Sequence, residues 1–263
     1  MNARCVALSL LFACAAAAAQ PPAAVPGTVL VTGANRGLGL ELVKEYAARG
    51  WTVIATARNP RAAAELNELA ASDHDVAVET LDVRDAAQLA ALAAKYRGTP
   101  IDVLINNAGV LGDLDAQALG ALDYEEFEEV MAVNAFAPLA VSDAFHEHVA
   151  SSARKKIVAI TSRSGIVSLP GWRGPYFYRA SKIALNMEMR MLADELRESG
   201  IVVALVAPAP TDTDMLRQLI GPQGAAQQAR PADSAAALVE LIERVDAEHS
   251  GQPLFVDGTV LPW

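Results

Sequence analysis

From Gly27 onward, short runs of β-branched and aliphatic residues alternate with longer stretches rich in alanine and leucine. The short runs predict strands over 28–32, 52–56, 76–81, 103–106, 157–161, 202–207 and 254–256. The intervening stretches predict helices over 37–49, 60–71, 85–96, 124–150, 178–199 and 232–245. Two of the strands, Val29-Leu30-Val31 and Val202-Val203-Ala204-Leu205-Val206, are apolar at every position. That is the pattern of a parallel sheet covered on both faces, not of a sheet with one wet face. Strict alternation of strand and helix then gives one α/β domain over residues 27–263. Its expected architecture is a single doubly wound, Rossmann-type parallel sheet of about seven strands with helices on both faces. Such sheets bind ligands beyond the carboxyl ends of their strands, so the residues that follow each strand are the candidates for chemistry.

The N-terminus differs in kind. A basic start (Met1 to Arg4) precedes an apolar run, Val6 to Ala19, broken only by Ser9. Ala17-Ala18-Ala19 stand before Gln20, and residues 21–26 form a Pro/Ala spacer. This is the layout of a secretory signal peptide, which predicts an exported protein. Leu11-Phe12-Ala13-Cys14 gives a lipoprotein variant of the same idea, and an Ala-rich tail on a cytoplasmic protein is the alternative. The apolar run is too short to span a membrane comfortably. Both cysteines, Cys5 and Cys14, fall in this leader, so the body has no thiol nucleophile, disulfide or cysteine metal site. The four histidines are scattered, and no metal site is expected. A formal net charge of −10 argues against a nucleic-acid surface or an anionic membrane as partner, and says little about a small molecule.

The residues after the strands are polar and glycine-rich. The first strand runs into Thr32-Gly33-Ala34-Asn35-Arg36-Gly37-Leu38-Gly39, a tight turn that hands a helix N-terminus to an approaching phosphate. After the second come Ala57 and Arg58, where an NAD site would place an acid for the ribose hydroxyl. Arg36 and Arg58 would instead suit a 2′-phosphate, which makes NADPH the expected cofactor over NADH. Asp82-Val83 follow the third strand, Asn106-Asn107-Ala108-Gly109 the fourth, Thr161-Ser162-Arg163-Ser164-Gly165 the fifth and Pro208 to Thr213 the sixth. Tyr178 and Lys182 stand four residues apart on a predicted helix, so phenol and ammonium share one face. The ammonium is expected to lower the phenol's pKa toward neutrality, where it can exchange a proton with an alcohol.

In this order the pieces resemble the short-chain dehydrogenase/reductase family over about 27–263. The residues that carry the likeness are Thr32-Gly33, Gly37, Gly39, Asn106 to Gly109, Asn134, Ser162, Tyr178 and Lys182. Tyr176 to Lys182, Thr213-Asp214-Met215 and Phe255 to Trp263 are closer to its sniffer-like and C-factor-like carbonyl reductases. The resemblance implies Tyr178 as general acid, Lys182 as its tuner and holder of the nicotinamide ribose, and Ser162 as orienter of the substrate oxygen. It implies that Asn134 holds a water on a proton path. Gly33, Arg36, Gly37 and Leu38 would line the phosphates, with Asp82 at the adenine, Asn107, Ala108 and Gly109 at the ribose and Pro208 and Thr213 at the nicotinamide. It also implies a possible homodimer through the helices over 124–150 and 178–199, whose apolar residues, Met187, Met189 and Met191 among them, are otherwise expected in the core.

Three departures stand out. Ser162 precedes Tyr178 by 16 residues, longer than is usual in the family, which leaves Ser164 as a second candidate. Ala209 stands where the family carries glycine, adding a methyl at the nicotinamide end. Export is unusual for an enzyme that needs a cytoplasmic cofactor. The segment 214–230 is short for a substrate lid and suggests an open site taking small or permissive carbonyl substrates. The alternative from another class is a nucleotide-binding or signalling protein that keeps the fold with little turnover.

Overall fold

The computed structural model describes residues 26–169 and 174–263, so all of the predicted leader and spacer but Pro26 lies outside the described residues. Seven strands form one sheet: β1 (Thr28–Val31), β2 (Thr52–Ala57), β3 (Val76–Thr80), β4 (Val103–Asn106), β5 (Lys156–Ile160), β6 (Val202–Ala207) and β7 (Pro253–Phe255). Their order is β3-β2-β1-β4-β5-β6-β7 and every pair is parallel. The winding reverses between β1 and β4, which opens a crevice at their carboxyl ends.

The apolar strand runs are explained by two cores, one on each face of the sheet. Val29, Val31, Val53, Val103, Ile105, Val158, Ala204 and Val206 point into the first. There they meet α1 (Gly37–Ala48) and α8 (Pro231–Arg244). Leu30, Ile54, Leu104, Ile157, Ala159, Val203 and Leu205, the alternate positions, enter the second. Phe145, Val149, Leu185 and Met189 cover them from α5 (Ala137–Ala150) and α6 (Tyr176–Glu195). Leu66 of α2 (Ala64–Ser72) enters the first core, and Leu89 and Leu92 of α3 (Ala86–Lys95) close the edge of the second.

Three expectations change. The predicted helix over 124–150 is α4 (Tyr124–Met131), a π turn at Ala132–Phe136 and then α5. The Ala137 N–H reaches back five residues to the Ala132 carbonyl. Pro138 has no N–H to offer the Asn134 carbonyl four residues earlier, so an α-helical bond is missing where the turn widens. Second, the 214–230 segment holds a helix, α7 (Asp214–Ala225), broken at Gly221, where φ is 79° and ψ 159°. Third, Met189 is fully buried but Met187 and Met191 are 55% and 64% exposed, so the core accounts for only one of the three. With Ile183 they form an outward apolar stripe, four residues apart along α6. No helix among the described residues is long and apolar enough to cross a membrane.

Candidate active site

α6 packs its polar residues against the end of β5. Lys182 is buried, and its Nζ donates to the carbonyl of Ile160, the last residue of β5, at 2.9 Å. Two residues on, Ser162 caps a short turn by accepting the Ser164 N–H at 3.1 Å. The Ser162 hydroxyl also lies beside the Tyr178 phenol, near enough to favour its ionised form. Ser164 therefore supplies a main-chain donor to Ser162, and Ser162 is the serine that touches the tyrosine. The Lys182 ammonium stands 5.9 Å from the centre of the Tyr178 ring. Asn186, one turn further, accepts from the Thr161 hydroxyl and donates to the Gly165 carbonyl at 3.0 Å, so both ends of the Ser162 turn are tied to α6. Tyr178, Lys182 and Asn186 repeat every four residues along the first half of α6, a signal the sequence contains.

The electrostatics correct one expectation. Burial pushes the Tyr178 phenol above its ordinary value, and the neighbouring Ser162 hydroxyl only partly opposes that. The group brought toward neutrality is Lys182, which burial lowers from 10.5 to about 8. Spacing along a helix shows that two groups are neighbours, and the depth of the pair decides which of them titrates.

Asn134 sits in the π turn with its side chain filled. Its Oδ1 accepts the Val110 N–H at 2.8 Å, and its Nδ2 donates to the Val110 carbonyl at 2.8 Å and to Ser181 Oγ at 3.0 Å. The amide thus clamps the loop after β4 to α6, a positioning role beside the water-holding one expected of this residue. Ser181 and Asn186 carry no motif signature, yet both tie the site together.

The cofactor side gathers at the ends of β1 to β4, which the strand order sets side by side. Thr32 Oγ1 accepts from the N–H groups of Asn107 and Ala108, at 3.0 and 3.1 Å. Asn107 Nδ2 donates to the carbonyls of Thr32 and Gly33, at 2.9 and 3.1 Å. Asn107 therefore builds the glycine turn instead of reaching outward. Gly33 has φ +66°, and a Cβ there would stand 2.8 Å from the Ala108 Cα. At Gly39 a Cβ would collide with the Gly33 carbonyl and the Asn107 amide. Asn35 and Arg36 are exposed, Gly37 and Leu38 half-buried. Arg36, the residue before α1, gives the helix no side-chain cap, and no acid lies in its first turn. The free N–H groups and positive end of α1 thus fit an anionic group above Gly37.

Arg58 is exposed at the end of β2 and pulls on the Asp82 carboxylate across β3. Asp82 is held below the ordinary carboxylate range first by Arg84, whose Nε and Nη2 reach it at 3.2 and 3.1 Å. Val83 is buried in the second core, and Gly109 lies against the Asn134 amide. Across the crevice Thr213 caps α7 and packs its methyl toward Gly37, while Arg36 Nη1 meets Asp214 Oδ2 at 3.2 Å. Pro208 and Ala209 are half-buried, and Ala209 is not among the residues of positive φ, so its methyl sits on an unstrained backbone.

A short chain dehydrogenase family model matches residues 27–223, most of the described chain. The chain belongs to the short-chain dehydrogenase family. Among curated relatives of this dehydrogenase, C-signal of Myxococcus xanthus is 37% identical over 165 residues, covering 62% of this chain and 93% of that protein. The NADPH-bound carbonyl reductase from chicken fatty liver is 31% identical with a TM-score of 0.81, over 90% of this chain and 98% of that one. The carbonyl reductase Sniffer of D. melanogaster is 26% identical with a TM-score of 0.82, over 91% and 100% of the two chains. The sheet order, the glycine turn and the Ser162–Tyr178–Lys182 grouping of this dehydrogenase thus sit in a family of oxidoreductases with carbonyl reductases among its structural neighbours.

The depressed Lys182 makes a linkage prediction. Its folded pKa of about 8 lies below the unfolded 10.5, so the unfolded chain binds more protons between those values. Stability from this residue therefore rises as pH rises from about 8 to 10.5, and below 8 the buried charge is a full cost. Lys182→Met removes the titration. Between pH 7 and 10.5 the stability of the parent should gain on the variant by on the order of 3 kcal/mol. Urea unfolding of both at several pH values reads this difference, and parallel pH curves would show that Lys182 is not a depressed, buried amine.

Proposed function

We propose that this short-chain dehydrogenase is an NADPH-dependent carbonyl reductase. The observation that carries the reading is the Tyr178 phenol, set beside the Ser162 hydroxyl and one helical turn from a buried ammonium. When bound, the nicotinamide supplies the hydride to the carbonyl carbon. The carbonyl π electrons move to oxygen, and Tyr178 gives that oxygen its proton. Ser162 is within reach of the same phenol and orients the substrate oxygen toward it. Lys182 offsets the phenolate that remains, which burial would otherwise disfavour. Asn134 and Ser181 hold Lys182's turn of α6 against the loop after β4, and water near them is the route by which the tyrosine regains a proton. A raised phenol pKa keeps Tyr178 protonated through neutral pH, as an acid in the reductive direction requires.

Selection of NADPH rests on Arg58 and Arg36. Both are exposed beside the ends of β1 and β2, where no acid follows β2 to favour an unphosphorylated ribose. That the chicken liver neighbour is an NADPH-bound carbonyl reductase supports the same choice. The rival reading, a nucleotide-binding or signalling protein with little turnover, draws on the likeness to C-signal. The satisfied Ser162, Tyr178, Lys182 and Asn186 frame favours an enzyme. We also propose that two copies pair through the Ile183, Met187 and Met191 stripe, since an exposed apolar row of this kind invites a partner surface.

Tyr178→Phe keeps the ring and removes the proton. NADPH should still bind, while NADPH oxidation with aldehydes, ketones or quinones should fall by about 10²–10⁴-fold. In the parent, reduction should decline as pH rises through about 8, where Lys182 loses its charge. A Tyr178→Phe protein that turns over at the parent rate would sink the assignment. Arg58→Asp should weaken NADPH binding by roughly 10- to 100-fold, the worth of one or two charged bonds, and leave NADH binding nearly unchanged. Equal loss for both cofactors would refute the role. Met187→Glu with Met191→Glu should halve the mass seen by light scattering, and a monomeric parent would end the dimer proposal.

A further inference from the structure

Gln117 lies in the loop after β4, 61 residues before Tyr178, and is only 2% exposed. Its Oε1 accepts two main-chain N–H groups, Phe177 at 2.9 Å and Tyr178 at 3.2 Å. Its Nε2 donates to two carbonyls, Leu111 and Asp113, each at 3.0 Å. Both donors and both lone pairs of the amide are used, and the chemistry of the four partners fixes which end is oxygen. We propose that Gln117 is the positioning residue for the Tyr178 phenol, acting as an N-terminal cap supplied to α6 from a distant loop.

The need for such a cap is local. Pro175 precedes α6 and has no side-chain oxygen to give. A helix start leaves its first N–H groups without partners, and a capping side chain normally serves the second or third of them. Phe177 and Tyr178 are those second and third residues. Without Gln117 the first turn of α6 is free to fray, and Tyr178 lies within that turn. Lys182 lies in the next turn and has its own anchors: its Nζ bond to Ile160 and the neighbouring Ser181–Asn134 bond. Loss of Gln117 should therefore displace the phenol from Ser162 and leave the ammonium in place.

This inference rests on Tyr178 being the proton donor, and its test is arranged to separate the two. Gln117→Met keeps the shape and apolar packing and removes all four bonds. We expect kcat for carbonyl reduction to fall about 10- to 100-fold, the effect of misplacing a reacting group by about an ångström. The NADPH dissociation constant, read by fluorescence quenching, should change by less than about twofold, because Lys182 and the glycine turn are untouched. Gln117→Glu adds a signature. One oxygen can still take the two N–H groups, but the other faces two carbonyls and fits only when protonated. That variant should go on recovering activity as pH falls below neutrality, a range in which the parent, whose own step lies near pH 8, is flat.

Gln117→Met turning over within about twofold of the parent would overturn the proposal. So would a loss of NADPH affinity in step with kcat, or a Gln117→Glu profile parallel to that of the parent. Should Gln117→Met not fold, Gln117→Glu compared with itself across pH decides the matter. Tyr178→Phe run alongside assigns any failure. If that variant is slow and Gln117→Met is fast, only the capping role falls. If Tyr178→Phe is itself fast, the proton-donor reading falls first.

Discussion

The bond from the Lys182 ammonium to the Ile160 carbonyl is where sheet, helix and chemistry meet. Ile160 ends β5, and Thr161 and Ser162 follow it directly. A charged donor on a buried carbonyl is expensive to break, because both groups would lose their partner away from water. The bond thus fixes how far along the sheet α6 can slide. That position in turn places Asn186 on Thr161 and Gly165, Ser181 on Asn134, and Tyr178 on Ser162. The same burial that makes the bond strong depresses the lysine and raises the tyrosine. Structure and titration are therefore two consequences of one placement.

Charge works locally here. The chain carries a net −10, yet the residues facing the ends of β1 and β2 are Arg36 and Arg58. The positive end of α1 lies beside them, uncapped by any side chain. Over distances beyond about 8 Å at physiological salt, the acidic remainder is screened. Net charge bears on extended polyanionic partners and is uninformative about a single anionic cofactor.

The central strands were legible because they are buried on both faces, which leaves an apolar run, and even at the edge strand β3, where only Val76 is buried, the expected ends differ from the observed ones by about a residue. Tyr178 and Lys182 were legible because a spacing of four is a local property of a helix. What was not legible depends on burial or on distant partners. Nothing near Gln117 marks it as a cap for a helix 60 residues away. The direction of the tyrosine shift needed the depth of the site, and an argument from spacing alone chose the wrong group. Met187 and Met191 failed because composition names an apolar residue without saying which side of the helix it takes. Two misses had signals in plain view. Pro138, four residues after Asn134, forbids an ordinary helical bond there, and Thr213-Asp214 is a helix start that would have announced α7.

The site is firmly bonded around Tyr178 and Lys182 and loosely joined at the rim of the crevice. Ser162, Tyr178 and Lys182 are held by groups buried among the sheet ends, and Asn134, Ser181 and Asn186 are each satisfied more than once. Across the crevice, α7 is joined to the glycine turn by Arg36 and Asp214, whose side chains are 72% and 64% exposed. An exposed pair of that kind contributes about 0–1 kcal/mol, so parting it costs little. Gln218 adds one exposed bond to the Gly112 carbonyl on the other side, and Gly221 interrupts α7 just beyond. The contrast follows from how each set of bonds is made. Buried polar groups must keep their partners, whereas those on the rim can exchange theirs for water or ligand at similar free energy.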